Sequence, residues 1–286
     1  MTTSTPSTPA HGPARRVAAA LLTVAPLVLV SACGDDRPAG AEGPPALDRG
    51  ARLVITTENG VRLRPVEGDR VAADSAVRGA WSHRDGTWVL DLACRDRRDG
   101  HDDGGDADGC PRMPTVGVPA GVPVTVTARN AGIDAVGVEA ALALTTVNGD
   151  VTVTRSGGGD ADVRLVTRNG SVRAESLAAG RLEAETVNGD VTLGGATSPS
   201  RVTAATTNGS VRVTLPHDAP AYDVTAGTRN GRTSVLVPQT PGSGGDSGSG
   251  DGSGAGDGPG SGGGDAADGR AMNLSTVNGD VTAGLG

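Results

Sequence analysis

The chain has 286 residues and a formal net charge of −8, and all 25 of its basic side chains are arginines. It has no phenylalanine, two tryptophans and one tyrosine, so its core must be built mainly from valine, leucine, alanine and threonine. An acidic chain lacks the basic surface that attracts nucleic acid or anionic lipid headgroups, which excludes nucleic acid as an expected partner.

Residues 1–32 have the pattern of a bacterial export signal. Two arginines, Arg15 and Arg16, precede an apolar run from Val17 to Val30. The run is shorter than a typical transmembrane helix. The run ends in Val-Ser-Ala-Cys, which resembles a lipobox with Cys33 as the acylated residue. The alternatives are an ordinary secretory signal and a signal anchor.

A lipidated Cys33 predicts a protein held at the extracytoplasmic face of the cell membrane, with each buried acyl CH₂ contributing about 0.8 kcal/mol. Removal of residues 1–32 leaves 23 basic and 33 acidic side chains, a net charge of −10. Residues 33–49 have the composition of a flexible tether. Residues 50–286 are predicted to form the extracytoplasmic β-strand-repeat domain.

Residues 67–114 break the repeat of the domain and are predicted to cap its N-terminal end. In an oxidising compartment Cys94 and Cys110 are expected to form a disulfide. A zinc site with His83 and His101 is an alternative, but the spacing fits no standard finger. A strand that starts at Trp88 is predicted to turn back across Asp85-Gly86 towards Trp81, and both tryptophans are predicted to fill the core.

The aspartates between the two cysteines, in residues 95–109, could bind calcium. They lack the EF-hand pattern and are neutralised in part by arginines, so a solvated loop is the favoured interpretation. No metal site and no cofactor are predicted.

The rest of the chain repeats around asparagine. Seven of the nine asparagines are followed by glycine and have threonine two residues earlier, and an eighth keeps the flanking apolar pattern. Apolar residues stand four and six residues before the asparagine, an alternation that indicates a strand with one buried face. The eight equivalent positions are Asn59, Asn130, Asn148, Asn169, Asn188, Asn208, Asn230 and Asn278.

After each asparagine the apolar phase slips by one residue, so the chain must turn a corner or form a bulge there. Asn-Gly suits such a corner because both residues tolerate positive φ. The copies recur every 18 to 22 residues from Asn130 to Asn230, whereas the last gap, to Asn278, is 48 residues. A Gly/Ser/Asp-rich tract at about 242–269 is predicted to be a disordered insertion between two repeats, and its deletion is expected to leave folding nearly unchanged.

These patterns predict an all-β, single-stranded β-helix-like solenoid of roughly 20-residue coils with a disulfide-linked N-terminal cap. Successive copies would stack about 4.8 Å apart, with like side chains over like and an asparagine ladder inside the corner. The alternative is a series of antiparallel hairpins with Asn-Gly at type I′ turns, but it leaves the fixed threonine without a role.

The recurring Thr-Val-Asn-Gly-Asp-Val of residues 146–151, 186–191 and 276–281 resembles the bacterial putative-adhesin family of β-strand-repeat proteins. The passage at 118–124 is similar to that family's entry into its repeats. The resemblance covers roughly residues 50–286. It implies a right-handed β-solenoid on an exported or membrane-attached protein, and no catalytic residues to carry over. The chain departs from the pattern in its long insertion and at Thr233, where the usual valine is lost.

No nucleophile motif, phosphate loop or dinucleotide fingerprint is present, so no enzymatic activity is predicted. Three aspartates, Asp150, Asp190 and Asp280, stand at equivalent positions beside the corner, but Ser171 and Ser210 interrupt the row. A carbohydrate-active solenoid enzyme is therefore the least favoured function. The expected function is non-enzymatic binding of an unknown cell-wall polymer or an envelope or surface protein, and the alternative is an envelope-sensing or assembly accessory.

Overall fold

A computed structural model describes residues 45–48, 50–73, 80–92, 113–240 and 269–286. These ranges contain twenty β-strands arranged in two ten-stranded sheets. In chain order the strands are β1 (Arg52–Thr57), β2 (Val61–Val66), β3 (Ala72–Ala73), β4 (Ala80–Arg84), β5 (Thr87–Asp91), β6 (Thr115–Pro119), β7 (Val124–Ala128), β8 (Ile133–Val136), β9 (Leu142–Thr145), β10 (Val151–Thr154), β11 (Asp162–Val166), β12 (Val172–Leu177), β13 (Arg181–Glu185), β14 (Val191–Gly195), β15 (Arg201–Ala205), β16 (Val211–Leu215), β17 (Asp223–Asn230), β18 (Thr233–Val235), β19 (Ala271–Asn278) and β20 (Val281–Leu285).

The two sheets are built in the same way, and each coil contributes one strand to each sheet. The first sheet has the order β17-β19-β15-β13-β11-β9-β7-β1-β5-β4, and the second has the order β18-β20-β16-β14-β12-β10-β8-β2-β6-β3. Neighbouring strands are parallel, except that β4 runs antiparallel to β5 and β3 to β6. The predicted all-β solenoid is therefore confirmed, and a series of antiparallel hairpins is wrong.

The core lies between the sheets and follows the alternation of the sequence. In β13 the side chains of Leu182 and Ala184 are buried, and after the corner those of Val191 and Leu193 in β14 are buried as well. The registers stack equivalent residues, since Leu182 pairs with Val202 of the next coil. Like side chains therefore meet along the stack, and small aliphatic residues suffice to fill the narrow space between the sheets.

The order of the coils departs from chain order at both ends. The last strand pair, β19 and β20, lies between the coil of β15 and β16 and the coil of β17 and β18. At the other end β1 lies between β5 and β7. The expectation that successive copies of the repeat lie on top of each other is therefore wrong at the C-terminal end. At the other end the copies of Asn59 and Asn130 are neighbours, since β1 pairs with β7 and β2 with β8. A physical reason is visible in β18, where Thr233 and Ser234 are exposed, as suits a terminal coil with water on its outer side.

At the end of the first sheet, β4 and β5 form a hairpin. Its turn contains Asp85 with φ 48° and Gly86 with φ 73°, the signs that a type I′ turn requires. The rings of Trp81 and Trp88 meet edge to face with centroids 6.4 Å apart, and both pack against the core. His83 stacks on Trp88 at 4.4 Å. The turn towards Trp81 that the sequence predicts is present, whereas Cys94 and Cys110 lie outside the described residues.

Candidate binding surface

Six of the corners are tied to the neighbouring coil by a threonine hydroxyl. Thr186 Oγ1 donates to the carbonyl oxygen of Gly170 at 2.8 Å, and Thr206 Oγ1 donates to that of Gly189 at 2.9 Å. Both threonines are buried, and the hydrogen bond offsets the cost of removing a hydroxyl from water. The same bond, to the residue after the neighbouring asparagine, is made by Thr146, Thr167, Thr228 and Thr276. The recurring threonine of the repeat therefore holds these coils in register.

The glycine of the corner is required by close backbone contact. Gly189 has φ +149°, and a Cβ built on it would lie 2.1 Å from the carbonyl oxygen of Gly170. The neighbouring corner repeats this geometry at Gly209, with φ +153° and 2.0 Å to the carbonyl oxygen of Gly189. The asparagines do not share the positive φ, so that part of the expectation is wrong. In the described ranges the non-glycine residues with positive φ are Asp85, Arg155 and Ser176.

The asparagine side chains form a chain of amide hydrogen bonds along the outside of the corner. Asn188 Nδ2 donates to Asn169 Oδ1 at 2.9 Å, and Asn208 Nδ2 donates to Asn188 Oδ1 at 2.8 Å. In stacking order the linked residues are Asn130, Asn148, Asn169, Asn188, Asn208, Asn278 and Asn230. All seven are exposed, so the expected position inside the corner is wrong. Asn59 makes a different contact, because its backbone N–H donates to Thr57 Oγ1 at 3.1 Å.

Beside the asparagines runs a row in which aspartate alternates with serine. The Oδ1 atom of Asp190 accepts the backbone N–H of Ser210 at 2.8 Å, and Ser210 Oγ accepts the backbone N–H of Asp280 at 3.2 Å. Asp150 bonds to the N–H of Ser171 in the same way at 2.7 Å. The alternation keeps like charges two coils apart, and each carboxylate stabilises the backbone of the next coil. This arrangement agrees with a structural role for the aspartates.

A third row stands between the buried threonines and the asparagines. In stacking order its members are Arg129, Val147, Arg168, Val187, Thr207, Val277 and Arg229. Val187 is 42% exposed and Val147 is 36% exposed, which is unusual for valine in a fold where most of the described valines fill the core. We call these three rows together the ladder face. It spans six coil spacings from Asn130 to Asn230, or about 29 Å.

A charged cluster lies on the outer surface of the first sheet. Arg164 forms ion pairs with Glu183 and, at 3.5 Å, with Glu185. The hydrogen bond to Glu183 raises the pKa of the Arg164 guanidinium. Burial raises the pKa of the Glu185 carboxyl, and the nearby Arg164 opposes that rise. The acids of this cluster are paired with arginine and form a cross-strand contact between β11 and β13.

Several of the predicted site residues fall outside the described residues, namely Cys33, Cys94, Cys110 and His101. The acidic stretch at 95–109 and residues 242–268 of the insertion do so as well. In the ranges that the structure does describe, no group of three or more metal-ligating side chains occurs. Those ranges also contain no helix that is long and apolar enough to cross a membrane.

We expect Asn188→Asp to lower the free energy of unfolding by about 1 kcal/mol. The carboxylate cannot donate to Asn169 Oδ1, so two oxygens would face each other across the present 2.9 Å contact. Urea unfolding followed by circular dichroism measures the change. Arg181→Ala is the control, because the ion pair of Arg181 with Asp162 is exposed and contributes little. Equal stability of the two variants would contradict a structural role for the ladder.

The fold and the ladder define the class of the protein, a parallel β-solenoid whose coils turn at Thr-x-Asn-Gly corners. Residues 125–255 match the family described as Toastrack DUF4097. A crystal structure of a putative cell adhesion protein from Clostridium sporogenes ATCC 15579 is 10% identical over 84% of this chain and 96% of that chain, with a TM-score of 0.34. No curated protein matches the chain.

Proposed function

We propose that the chain is a lipid-anchored, non-enzymatic binding protein of the cell envelope, which holds a neutral linear glycan along the ladder face. The observation that carries the proposal is the in-register exposure of seven asparagine amides over about 29 Å. Anchoring is supported by the lipobox-like residues 30–33 and by the tether-like composition of 33–49.

The chemistry of the amides suits a hydroxyl-rich ligand. A side-chain amide has two N–H donors and an oxygen with two lone pairs, and each ladder bond uses one donor and one lone pair. Every amide in the middle of the ladder therefore keeps a donor and an acceptor that face water. These groups recur at the coil spacing, and a linear glycan also presents hydroxyl groups at a regular repeat. Exposed Val147 and Val187 add apolar contact area beside them.

The charge of the protein favours a neutral ligand over an anionic one. The chain without residues 1–32 has 23 basic and 33 acidic side chains, so an anionic wall polymer would be repelled at long range. The aspartates beside the ladder accept backbone N–H groups and alternate with serine, which suits a structural role better than acid–base chemistry on a bound sugar. These features together support binding without cleavage.

The wall-binding part of the proposal is tested by cosedimentation of the purified full chain with isolated cell-wall sacculi. We expect Val187→Glu to reduce the sedimented fraction about tenfold, because a carboxylate in the middle of the ladder face would clash with the bound polymer. The matched control is Ala196→Glu, which adds the same charge to an exposed position at the opposite corner of the same coil. If both variants sediment equally well, or if the unmodified chain stays in solution, glycan binding at the ladder face is wrong.

Anchoring is tested by supplying a labelled fatty acid to cells that express the chain. Cys33→Ala removes the thiol that would be acylated, so we expect the chain to lose a fatty-acid label supplied to the cells. Retention of the label by this variant would show that Cys33 is not the anchor, whatever the sacculi experiment finds.

A further inference from the structure

The Asn-Gly pairs of the corners are chemically reactive. In such a pair the glycine backbone nitrogen can attack the asparagine Cγ, because glycine has no side chain to obstruct the approach. A five-membered succinimide forms as ammonia leaves, and water then opens the ring to give aspartate or isoaspartate. The chain has seven Asn-Gly pairs with the same local sequence. Differences in their rates of deamidation in the folded chain must therefore arise mainly from their surroundings.

Five of the seven glycine nitrogens are held by the neighbouring coil. Each donates its N–H to the backbone carbonyl oxygen of the next asparagine in the stack, at 2.9–3.0 Å. A nitrogen held in this way is directed at the next coil and not at the side chain of its own asparagine, so the bond must break before the nitrogen can attack. These five glycines are Gly149, Gly170, Gly189, Gly209 and Gly279.

The asparagine side chains of these five corners are held as well. Asn208 is an example, since its Nδ2 donates to Asn188 Oδ1 at 2.8 Å and its Oδ1 accepts from Asn278 Nδ2 at 2.8 Å. The other four asparagines also bond to an asparagine on each side. Bringing Cγ to the glycine nitrogen would break both amide bonds in addition to the backbone bond. Three hydrogen bonds therefore oppose deamidation at each interior corner.

The pair Asn230-Gly231 lies in the terminal coil of the stack and lacks most of these restraints. Gly231 is exposed, and its N–H makes no hydrogen bond to any part of the chain that the structure describes. Asn230 Nδ2 donates to Asn278 Oδ1 at 2.8 Å, but no described residue donates to Asn230 Oδ1. Residues 238–240 lie beside Tyr222, at the other end of β17. A single amide bond therefore restrains this pair.

The interior pair Asn208-Gly209 has the same carboxylate beside it as the terminal pair. A Cβ built on either glycine would lie 3.0 Å from an aspartate oxygen, Asp190 Oδ1 in the interior corner and Asp280 Oδ1 in the terminal one. Each of these oxygens accepts the backbone N–H of the residue after the glycine at 2.8 Å. The nearby carboxylate is therefore common to both pairs, and the covering coil is what distinguishes them.

The seventh pair, Asn59-Gly60, is protected by burial. Its glycine N–H also makes no hydrogen bond within the described ranges, but Gly60 is buried, and Gly132 and Met113 occupy the space where a Cβ would project. Asn59 is half-buried. Attack on Cγ requires that water or hydroxide removes the glycine N–H proton, and opening of the succinimide consumes a water molecule. Burial restricts both steps at this pair.

We propose that Asn230 is the deamidation site of the folded chain. The Gly231 nitrogen loses its proton to water or hydroxide and forms a bond to Asn230 Cγ, the Cγ–Nδ2 bond breaks, and Nδ2 leaves as ammonia. Water then adds to one of the two ring carbonyls and opens the succinimide. The reaction consumes one water and releases one ammonia, without an oxidant or reductant.

The modification changes the outermost coil and leaves the coils below it intact. A carboxylate at residue 230 cannot donate to Asn278 Oδ1, so the last amide bond of the ladder is lost. Where isoaspartate forms, an extra methylene also enters the backbone beside the carbonyl oxygen that accepts from Gly279 N–H. The terminal coil therefore gains negative charge and loses contacts as the protein ages. This inference is independent of the glycan proposal, because the other six ladder asparagines keep their amides.

The first test compares the seven pairs in one sample of the full chain. The folded chain is incubated in mildly alkaline buffer and digested with pepsin at acid pH, where deamidation is slow, and the peptides are weighed. We expect the early rate at Asn230 to exceed that at Asn208 and the other interior asparagines about tenfold or more, because one hydrogen bond instead of three must break. In urea that unfolds the chain, all seven pairs should react at similar rates. An equally fast reaction at any other pair of the folded chain would overturn the proposal.

The second test uses variants and a readout specific for isoaspartate. An isoaspartate methyltransferase transfers a labelled methyl group to the isoaspartate that accumulates in the folded chain. We expect Asn230→Ala to remove most of the label. The matched control is Asn59→Ala, which removes the Asn-Gly pair at the other end of the stack and should leave the label unchanged. Label that persists in Asn230→Ala, or that disappears in Asn59→Ala, contradicts the assignment. Melting temperatures show whether each variant folds, and where one does not, the peptide masses of the unmodified chain decide.

Discussion

Gly189→Ala is expected to lower the free energy of unfolding by about 3 kcal/mol or more, through two causes that act at the same atom. The native φ of +149° is a conformation that residues with a Cβ rarely adopt, and such strain costs about 1–3 kcal/mol. The added Cβ would also lie 2.1 Å from the carbonyl oxygen of Gly170, and overpacking of this kind costs about 1–3 kcal/mol more. The coil cannot move outward to relieve the contact without losing the bond from Thr186 to the same oxygen.

The same coil offers a matched control for this prediction. Gly194 lies in β14, has no positive φ, and a Cβ on it would be 3.6 Å from its nearest neighbour, an ordinary contact. Gly194→Ala is therefore expected to change stability by no more than about 0.5 kcal/mol in either direction, with reduced freedom of the unfolded chain favouring the folded state. Urea unfolding of both variants measures the difference. A Gly189→Ala variant as stable as Gly194→Ala would show that the coils are not packed as closely as described.

The architecture of a single coil could be predicted from the sequence, because each position of the repeat occurs several times in the chain. Alternation before and after the asparagine predicts the buried residues, and the structure buries Leu182, Ala184, Val191 and Leu193 accordingly. The threonine two residues before the asparagine indicated a contact that a hairpin does not require. In the structure this contact is the hydrogen bond from Thr186 to the carbonyl oxygen of Gly170. The residue pattern of one coil predicts the stack, because parallel coils in register repeat the same contacts from one coil to the next.

The direction of the asparagine side chain could not be obtained in this way. Asparagine keeps the two-residue phase of the buried threonine, so alternation alone places both inside. The backbone turns between Thr186 and Asn188, however, and the amide emerges on the outer surface. An exposed amide ladder satisfies its hydrogen bonds from coil to coil as well as a buried one would, so the pattern of residues is the same in both cases.

The repeat pattern also does not predict the order of the terminal coils, although one residue, Thr233, indicates it. Any coil with the standard pattern can stack on any other, so chain order is the natural assumption. The coil of β17 and β18 has Thr233 where the other repeats have a buried valine or isoleucine, whereas the last coil regains the pattern with Val281 and Ala283. A coil with a polar residue in the core position is best placed at the end of the stack, next to water. Thr233 therefore predicts that the coil of β17 and β18 ends the stack and that the coil of β19 and β20 lies inside it.

The position of the last coil inside the stack changes the expected effect of deleting residues 242–269. The two ends of the tract lie on opposite sides of the start of β17, because Tyr222 bonds to Pro238 and Thr240 on one side, while Asp223 bonds to Arg270 on the other. Two strand spacings separate them, about 10 Å. After the deletion one residue remains between Thr240 and Arg270, and two Cα steps reach only about 7 Å. A loop between coils stacked in chain order would have no such gap to cross.

We therefore expect deletion of 242–269 to release residues 238–240 from Tyr222 or to displace the last coil, with a loss of several kcal/mol in stability. Replacement of the same residues by Gly-Ser-Gly-Ser spans the gap, and shortening the loop should then stabilise the fold by about 1 kcal/mol, since closure entropy changes slowly with length. Thermal melts followed by circular dichroism compare the two variants with the unmodified chain. Equal melting temperatures for the two would mean that the last coil does not lie inside the stack, because the plain deletion is harmless only when the chain has no strand to cross.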